Sequence, residues 1–282
     1  MNNISDIRDH MRSVTQTVKI SSAQKMIAAA HIGKARKALE RAQPYHDRIS
    51  GTISEALSGS GVQSRYISRS NETSRRGLLV VTADKGLAGG YNQNVMNLIG
   101  SELGKDNVSA VLAVGHVGFN KLEHNCPLLD TNFFYQVDNP TVETAGKIAD
   151  AVIDRFKNDR VDSFDVIYTY YKSAIHMNPT IERLFPISSD LFDNHKPMFL
   201  EFYPSADQVL EALIPTYLRG FIYGCLVNAW MSELNSRVTA MDNAIRNGND
   251  MLSHLSLDYN RARQSSITQE ITEIVASASS MK

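Results

Sequence analysis

Cysteine is scarce in this chain of 282 residues: Cys126 and Cys225 stand far apart, with no CxxC and no spacing that suits a metal. That argues against a disulfide-built fold and fits a reducing cytoplasm. Net charge is nearly absent as well, at a formal −1, whereas a nucleic-acid-binding domain usually shows a strongly basic balance. No nucleic acid is therefore expected among the partners. No apolar run approaches the roughly 20 residues that span a bilayer. The opening MNNISDIRDHM has neither the apolar core of a signal peptide nor the Arg- and Ser-rich character of a transit peptide. The expectation is a soluble chain with no direct membrane insertion, whose membrane role, if it has one, runs through partners. Catalytic constellations are missing too. No Ser/His/Asp or Cys/His set can be assembled, and His124 with Cys126 offers two ligands where zinc takes three or four. The chain reads as non-catalytic, with no cofactor and no metal.

What is present is a long apolar line near each end. From Leu210, alternating steps of three and four residues pass through Leu213, Tyr217, Gly220, Gly224, Val227, Met231, Leu234, Val238, Met241, Ile245, Gly248, Leu252, Leu255 and Tyr259 to Ala262 without meeting a charge. A repeat of 3.5 residues held this long predicts a left-handed coiled coil, a rod of roughly 80 Å. The same step from Ile4 reaches Ala56, and only Ser21, Lys25 and His46 on it are polar. The two lines are equally long, so an antiparallel pairing puts Ile4 opposite Ala262. Residues 1–58 are net basic and 207–282 net acidic, which favours the pairing.

The segment between the lines changes character. Ser58–Ser74 is a Gly- and Ser-rich polar linker. Leu78–Thr82, Ala110–Val114 and Phe164–Tyr170 read as strands. Tyr91–Leu103, His116–Leu122 and Thr141–Lys157 read as helices, the last with Val142, Ala145, Ile148, Ala149, Val152 and Phe156 on one face. The order implies an α/β insert on a mostly parallel sheet. The expected architecture is this insert plus a long antiparallel coiled coil of the N- and C-terminal helices, with 1–57 and 207–282 as a shaft, 58–74 as linker and 75–206 as globular domain. Pro44 predicts a bend or break near Gln43, and Pro215 an early separate helix. Ser205, with Gln208 three residues on, reads as the capping box of the last helix.

Asp84–Gly90 lies between a strand and a helix, where phosphate-cradling loops occur. It has neither the Gly-Lys-Ser/Thr ending of a P-loop nor the GxGxxG spacing, and a tight turn accounts for its glycines. Residues 263–282 lie beyond the paired length, and their apolar line shifts to Ile267, Ile271, Ile274 and Ala278. They predict a striped single helix awaiting a partner, the plain alternative being a frayed chain end. Arg263, Gln264, Thr268 and Glu270 mix charge and hydrogen-bonding capacity at its root; a solvated face is the plain alternative there.

Three segments carry a resemblance. MDNAIRNGNDML and LDYNRARQSSITQEITEIVASAS, from Met241 onward, ADKGLAGGYN over Ala83–Asn92, and KISSAQKMIAAAHIGKARKAL over Lys19–Leu39 resemble the gamma subunit family of the F-type ATP synthase across essentially the whole chain. The resemblance implies a central rotor shaft inside a hexamer of alpha and beta subunits, with the epsilon subunit and the membrane c-ring at the far end, peripheral to the cytoplasmic face of a bacterial inner membrane. It implies a polar catch on the beta subunit at Arg263, Gln264, Thr268 and Glu270. It also implies an apolar bearing around Ile271, Ile274 and Val275, and a surface facing the beta levers at Arg8, Ile20, Met26 and Ile27.

The sequence departs from the family pattern at Gln24 and Lys25, which alters a lever contact. Ala276-Ser277-Ala278 replaces a glycine, which should stiffen the tail, and Phe202-Tyr203-Pro204 removes an acidic contact with the ring. The cysteine-bearing insertion of the chloroplast relatives is missing, so thiol regulation of that kind is not expected. Two other classes stay open on the residues alone: a passive coiled-coil adaptor, and a nucleotide-binding α/β enzyme with a helical dimerisation arm.

Overall fold

The computed structural model describes residues 4–57, 66–68, 75–105, 107–158, 161–188, 203 and 205–280. In chain order the elements are α1 (Ile4–Leu57), β1 (Ile67–Ser68), β2 (Arg76–Val81), α2 (Tyr91–Leu103), β3 (Val108–Val114), α3 (His116–Glu123), β4 (Leu129–Tyr135), α4 (Val142–Lys157), β5 (Ser163–Ser173), β6 (His176–Phe185), β7 (Ile187–Ser188) and α5 (Ala206–Ser280). They fall into two compact units, one of Met1–Ala28 with Arg237–Lys282 and one of Ala29–Ser236.

The first unit is a helix pair. The expected apolar line of α1 is turned inward: Ile7, Ser21 and Ala28 are buried, and Met11, Val14 and Val18 half-buried. On α5, Met241 is buried and Ile245, Gly248, Leu252, Leu255, Tyr259 and Ala262 are half-buried. Two cross-helix contacts fix the register. Lys25 Nζ lies 2.5 Å from Asp242 Oδ1, and Arg8 Nη2 donates to the Tyr259 hydroxyl at 3.0 Å. Both fall within one residue of the antiparallel register that sets Ile4 opposite Ala262. Close approach is enforced at Gly248, where an added Cβ would stand 2.4 Å from Val18 Cγ2.

The second unit is built on a five-stranded sheet of order β4-β3-β2-β5-β6. β2 pairs in parallel with both β3 and β5, β3 with β4 likewise, and only β6 runs antiparallel, to β5. β2 is buried along its whole length, as a central strand covered on both faces must be. Leu78, Val80, Val95, Ile99, Val111, Ala113, Leu122 and Ile167 form one core beneath α2 and α3. α4 starts on Thr141, whose Oγ1 accepts Thr144 N at 3.1 Å, and buries Ala145, Ile148, Ala149, Val152 and Ile153. Val142, expected on that face, is 63 % exposed, at the first position of the helix.

A charged cluster is buried at the start of β2. Arg76 pairs with Asp165 and, at 2.5 Å, with Glu102; Lys105 joins Glu102 at 2.8 Å, and Arg183 closes on Asp165. The upper part of α5 is fully core-forming here, with Leu210, Ile214, Leu218, Ile222, Leu226 and Trp230 buried. α5 includes a stretch long and apolar enough to cross a membrane by composition alone, 44 % of it buried inside the protein.

Pro215 corrects the expected early separate helix, and Pro44 the expected break. α1 runs through Pro44 without a break, and α5 is one helix from Ala206 through Pro215. A proline removes one backbone hydrogen bond, and the packed positions around it hold the helix: Ala42 and Ile53 on α1, Ile214 and Leu218 on α5. Ser205 caps α5 as expected, its Oγ accepting Gln208 N at 3.3 Å. Within the segment read as linker, Tyr66 is buried, stacked on Phe156 with ring centroids 5.9 Å apart, and β1 pairs with β7. Residues 58–65 and 69–74 of that segment lie outside the described residues, as do Phe202 and Pro204.

Candidate partner-binding surfaces

Every side chain read as a catch, bearing or lever contact belongs to the first unit. On the tail of α5, Arg263, Gln264, Thr268 and Glu270 are exposed, and so are Ile267, Ile271, Ile274 and Val275, at 47, 56, 66 and 61 %. Helical periodicity arranges them in two neighbouring ridges. Arg263, Ile267, Glu270 and Ile274 make one ridge, and Gln264, Thr268, Ile271 and Val275 the other. The polar catch and the apolar bearing positions thus form a single face, polar at its root and apolar beyond. No helix of the chain covers that face among the described residues.

Hydroxyls of the tail are bonded to its own backbone. Thr268 and Thr272 donate their hydroxyls to the carbonyls of Gln264 and Thr268 at 2.8 and 2.7 Å, and Ser277 and Ser279 reach those of Ile274 and Ala276 at 2.9 and 2.8 Å. The Gln269 amide donates to Glu273 at 3.0 Å. A hydroxyl satisfied on its own helix can leave water without the full cost of an unmade hydrogen bond. The helix runs on through Ala276-Ser277-Ala278 to Ser280, so the run that replaces the family's glycine is helical.

On α1, Ile20, Met26 and Ile27 are exposed at 60, 66 and 55 %. These are large apolar side chains outside the apolar line, on the side of α1 turned from α5. Arg8 differs from them. Its guanidinium binds the Tyr259 hydroxyl and lies over that ring, 5.8 Å from the centroid. This hydrogen bond raises the pKa of Arg8 and holds the Tyr259 phenol below its ordinary value. Tyr259 is therefore a partner of a candidate site residue that its apolar-line position did not flag; the signal was its place opposite Arg8. Lys25, one of the departures, is absorbed within the pair. Its hydrogen bond to Asp242 lowers that carboxyl's pKa, with Arg246 adding to the effect at 2.6 Å. Met251 and Leu257 on α5 are further exposed apolar side chains, at 46 and 57 %, that fall between positions of the repeat and escaped notice.

The loop after β2 spends its polar atoms on backbone groups of the chain. Asp84 Oδ2 accepts Val137 N and Asp138 N, each at 2.8 Å, and Asn92 Oδ1 accepts Ala83 N at 2.9 Å. Thr82 Oγ1 accepts Gly118 N at 2.8 Å. Gly115 has φ +96, and a Cβ there would strike Thr82 O at 2.2 Å. Asp84 and Asn92 thus tie strand ends to neighbouring backbone.

A family profile described as ATP synthase matches residues 3–281. The ATP synthase gamma chain of Ruminiclostridium cellulolyticum is 40 % identical over 295 aligned residues, covering 100 % of this chain and 99 % of the relative. That of Acetivibrio thermocellus is 37 % identical over 295, covering all of both. Among solved structures, a chain of the Euglena gracilis mitochondrial ATP synthase in an OSCP/F1/c-ring assembly superposes with TM-score 0.71 at 15 % identity, over 99 % of this chain and 94 % of its own. A chain of the Tetrahymena thermophila central stalk/c-ring structure superposes with TM-score 0.61 at 22 % identity, over 80 % and 99 %. At such identities the structural likeness speaks to the fold. The profile match and the full-length relatives speak to descent, and by them this chain belongs to the gamma-chain family of ATP synthase, the family of its central-stalk rotor subunit.

Proposed function

We propose that this chain works as a rotor shaft, coupling ion-driven rotation to ATP synthesis or hydrolysis in a hexamer of alpha and beta subunits, with no chemistry of its own. The observation that carries the reading is the uncovered face of α5 beyond Ala262. There Arg263, Gln264, Thr268 and Glu270 serve as the catch for a beta-subunit loop, and Ile271, Ile274 and Val275 turn in an apolar bearing. Ile20, Met26 and Ile27 on α1 meet the beta levers. Arg8 takes part there together with Tyr259, which holds its guanidinium in place. The epsilon subunit and the membrane c-ring are the remaining partners, and the complex is peripheral to the cytoplasmic face of a bacterial inner membrane.

Mechanically, a shaft acts by differential contact. Each beta subunit has more than one conformation, and a side chain that meets one conformation better than another shifts that equilibrium by the difference. Because the catch residues occupy one face of one helix, the contacts offered to the surrounding subunits differ at any instant.

The test is reconstitution with the alpha and beta subunits of the same organism and a bead fixed to the α/β unit. Stepwise, unidirectional rotation on addition of ATP is expected. Deleting residues 263–282 should weaken assembly or torque while the sheet stays folded. A complex that hydrolyses ATP without turning the bead, or unchanged torque after the deletion, would favour the passive adaptor instead.

A further inference from the structure

Within residues 29–236 a cleft of about 220 Å3 opens between α1, the β5–β6 part of the sheet and α5. Three aromatic rings line it, those of Tyr168, Tyr170 and Phe221, and among the described residues the charged lining residue is Glu182, which is half-buried. The carboxylate accepts the Tyr168 hydroxyl on Oε1 at 2.9 Å. Among the described residues no basic side chain forms an ion pair with it, and the adjacent Arg183 is turned to Asp165. Burial foremost, with Glu182 among the added causes, raises the pKa of Tyr168, Tyr217 and Cys225, so these groups stay neutral. Asn228 is engaged on both atoms of its amide, donating to Gly224 O at 2.9 Å and accepting Tyr171 N at 3.3 Å.

The floor of the cleft is α5, where Gly220 and Gly224 lie one helical turn apart. A Cβ at Gly224 would meet nothing within 4 Å. Close packing therefore does not demand the glycine, although a glycine inside a helix costs stability relative to alanine. A carboxylate among aromatic walls, with no basic partner among the described residues, suits a positively charged organic group. The ring faces attract the cation, and the carboxylate gives it a charge-assisted contact. We propose that this cleft binds a small organic cation, an amine or quaternary ammonium, seated on Glu182 with its alkyl part against Tyr168, Tyr170 and Phe221. The site uses none of the partner-contact residues and does not depend on the rotor reading.

Choline and its neutral isostere 3,3-dimethyl-1-butanol are the probes, titrated calorimetrically into the full chain. Saturable choline binding is expected, with the isostere weaker by about tenfold or more. Glu182→Gln keeps an acceptor for the Tyr168 hydroxyl yet removes the charge, and should also weaken choline by about tenfold or more. Gly224→Leu, which fills the floor of the cleft, should abolish binding. Equal binding of the isostere, choline binding unchanged in either folded variant, or no saturable binding to the unaltered chain overturns the proposal. Thermal melts check that each variant folds. The isostere arm needs no variant, so it decides the matter even if a substitution disrupts the fold.

Discussion

Gly248 shows how much a single side chain matters to the helix pair. Alanine there would gain about 1 kcal/mol of helix propensity. Its Cβ would stand 2.4 Å from Val18 Cγ2, and a β-branched residue in a helix has little rotamer freedom with which to yield. Overpacking of this kind costs typically about 1–3 kcal/mol. Gly248→Ala should therefore lower stability to urea by about 1 kcal/mol net, and adding Val18→Ala should restore it. A more stable Gly248→Ala chain would contradict the close approach. Glu102 makes the matching case for charge. Burial pushes its pKa up, but hydrogen bonds from Lys105 and Arg76 outweigh that, and the net position is below the ordinary value. Its folded pKa being the lower one, its contribution is complete above the unfolded value near about 4.3 and is lost as pH falls through the folded value. Glu102→Gln should cost about 1–3 kcal/mol at neutral pH, and the gap to the unaltered chain should close as pH drops below about 4. Urea melts at stepped pH measure this; a gap independent of pH would mean that the carboxylate charge is not what stabilises.

Among the elements, the helices follow from their own sequences more fully than the strands. The steps of three and four from Ile4 and from Leu210 meet no exposed residue wherever the side chain is described, because one face of each helix is set by what it must bury. That burial is graded: Leu234 is 4 % exposed, whereas Leu252 is half-buried. Leu234→Ala should cost about 2–5 kcal/mol and Leu252→Ala nearer 1 kcal/mol. Denaturant unfolding checks the order, and equal losses would count against this packing. β4 and β6 escaped a reading by pattern for a physical reason. Both are edge strands: β4 buries only Leu129 and Phe133, and β6 carries Pro179, which an edge tolerates and a central strand would not. β2, buried throughout, was legible as a continuous apolar run. The prolines misled in the other direction. Pro44 and Pro215 sit inside unbroken helices because packing outweighs one lost hydrogen bond.

For the whole molecule, the uncovered face from Ile267 to Val275 has consequences before any partner arrives. A contiguous exposed apolar stripe tends to find a second surface. The full chain alone should self-associate with rising concentration, and a chain ending at Ala262 should do so less; sedimentation velocity distinguishes them, and identical behaviour would remove the stripe as the cause. The candidate contact residues were legible through the resemblance, and the tail's exposed stripe through its shifted periodicity, but their surroundings were not. The sequence by itself determined the two long helices, the face that each buries and the α/β character between them, because hydrophobic periodicity is local information. Only the tertiary structure decided that Arg8 is held by Tyr259, that Lys25 is paired with Asp242, and that Glu182 lies in an aromatic cleft bonded to the Tyr168 hydroxyl. Those facts depend on which side chains of distant segments meet, and no single stretch of sequence contains that.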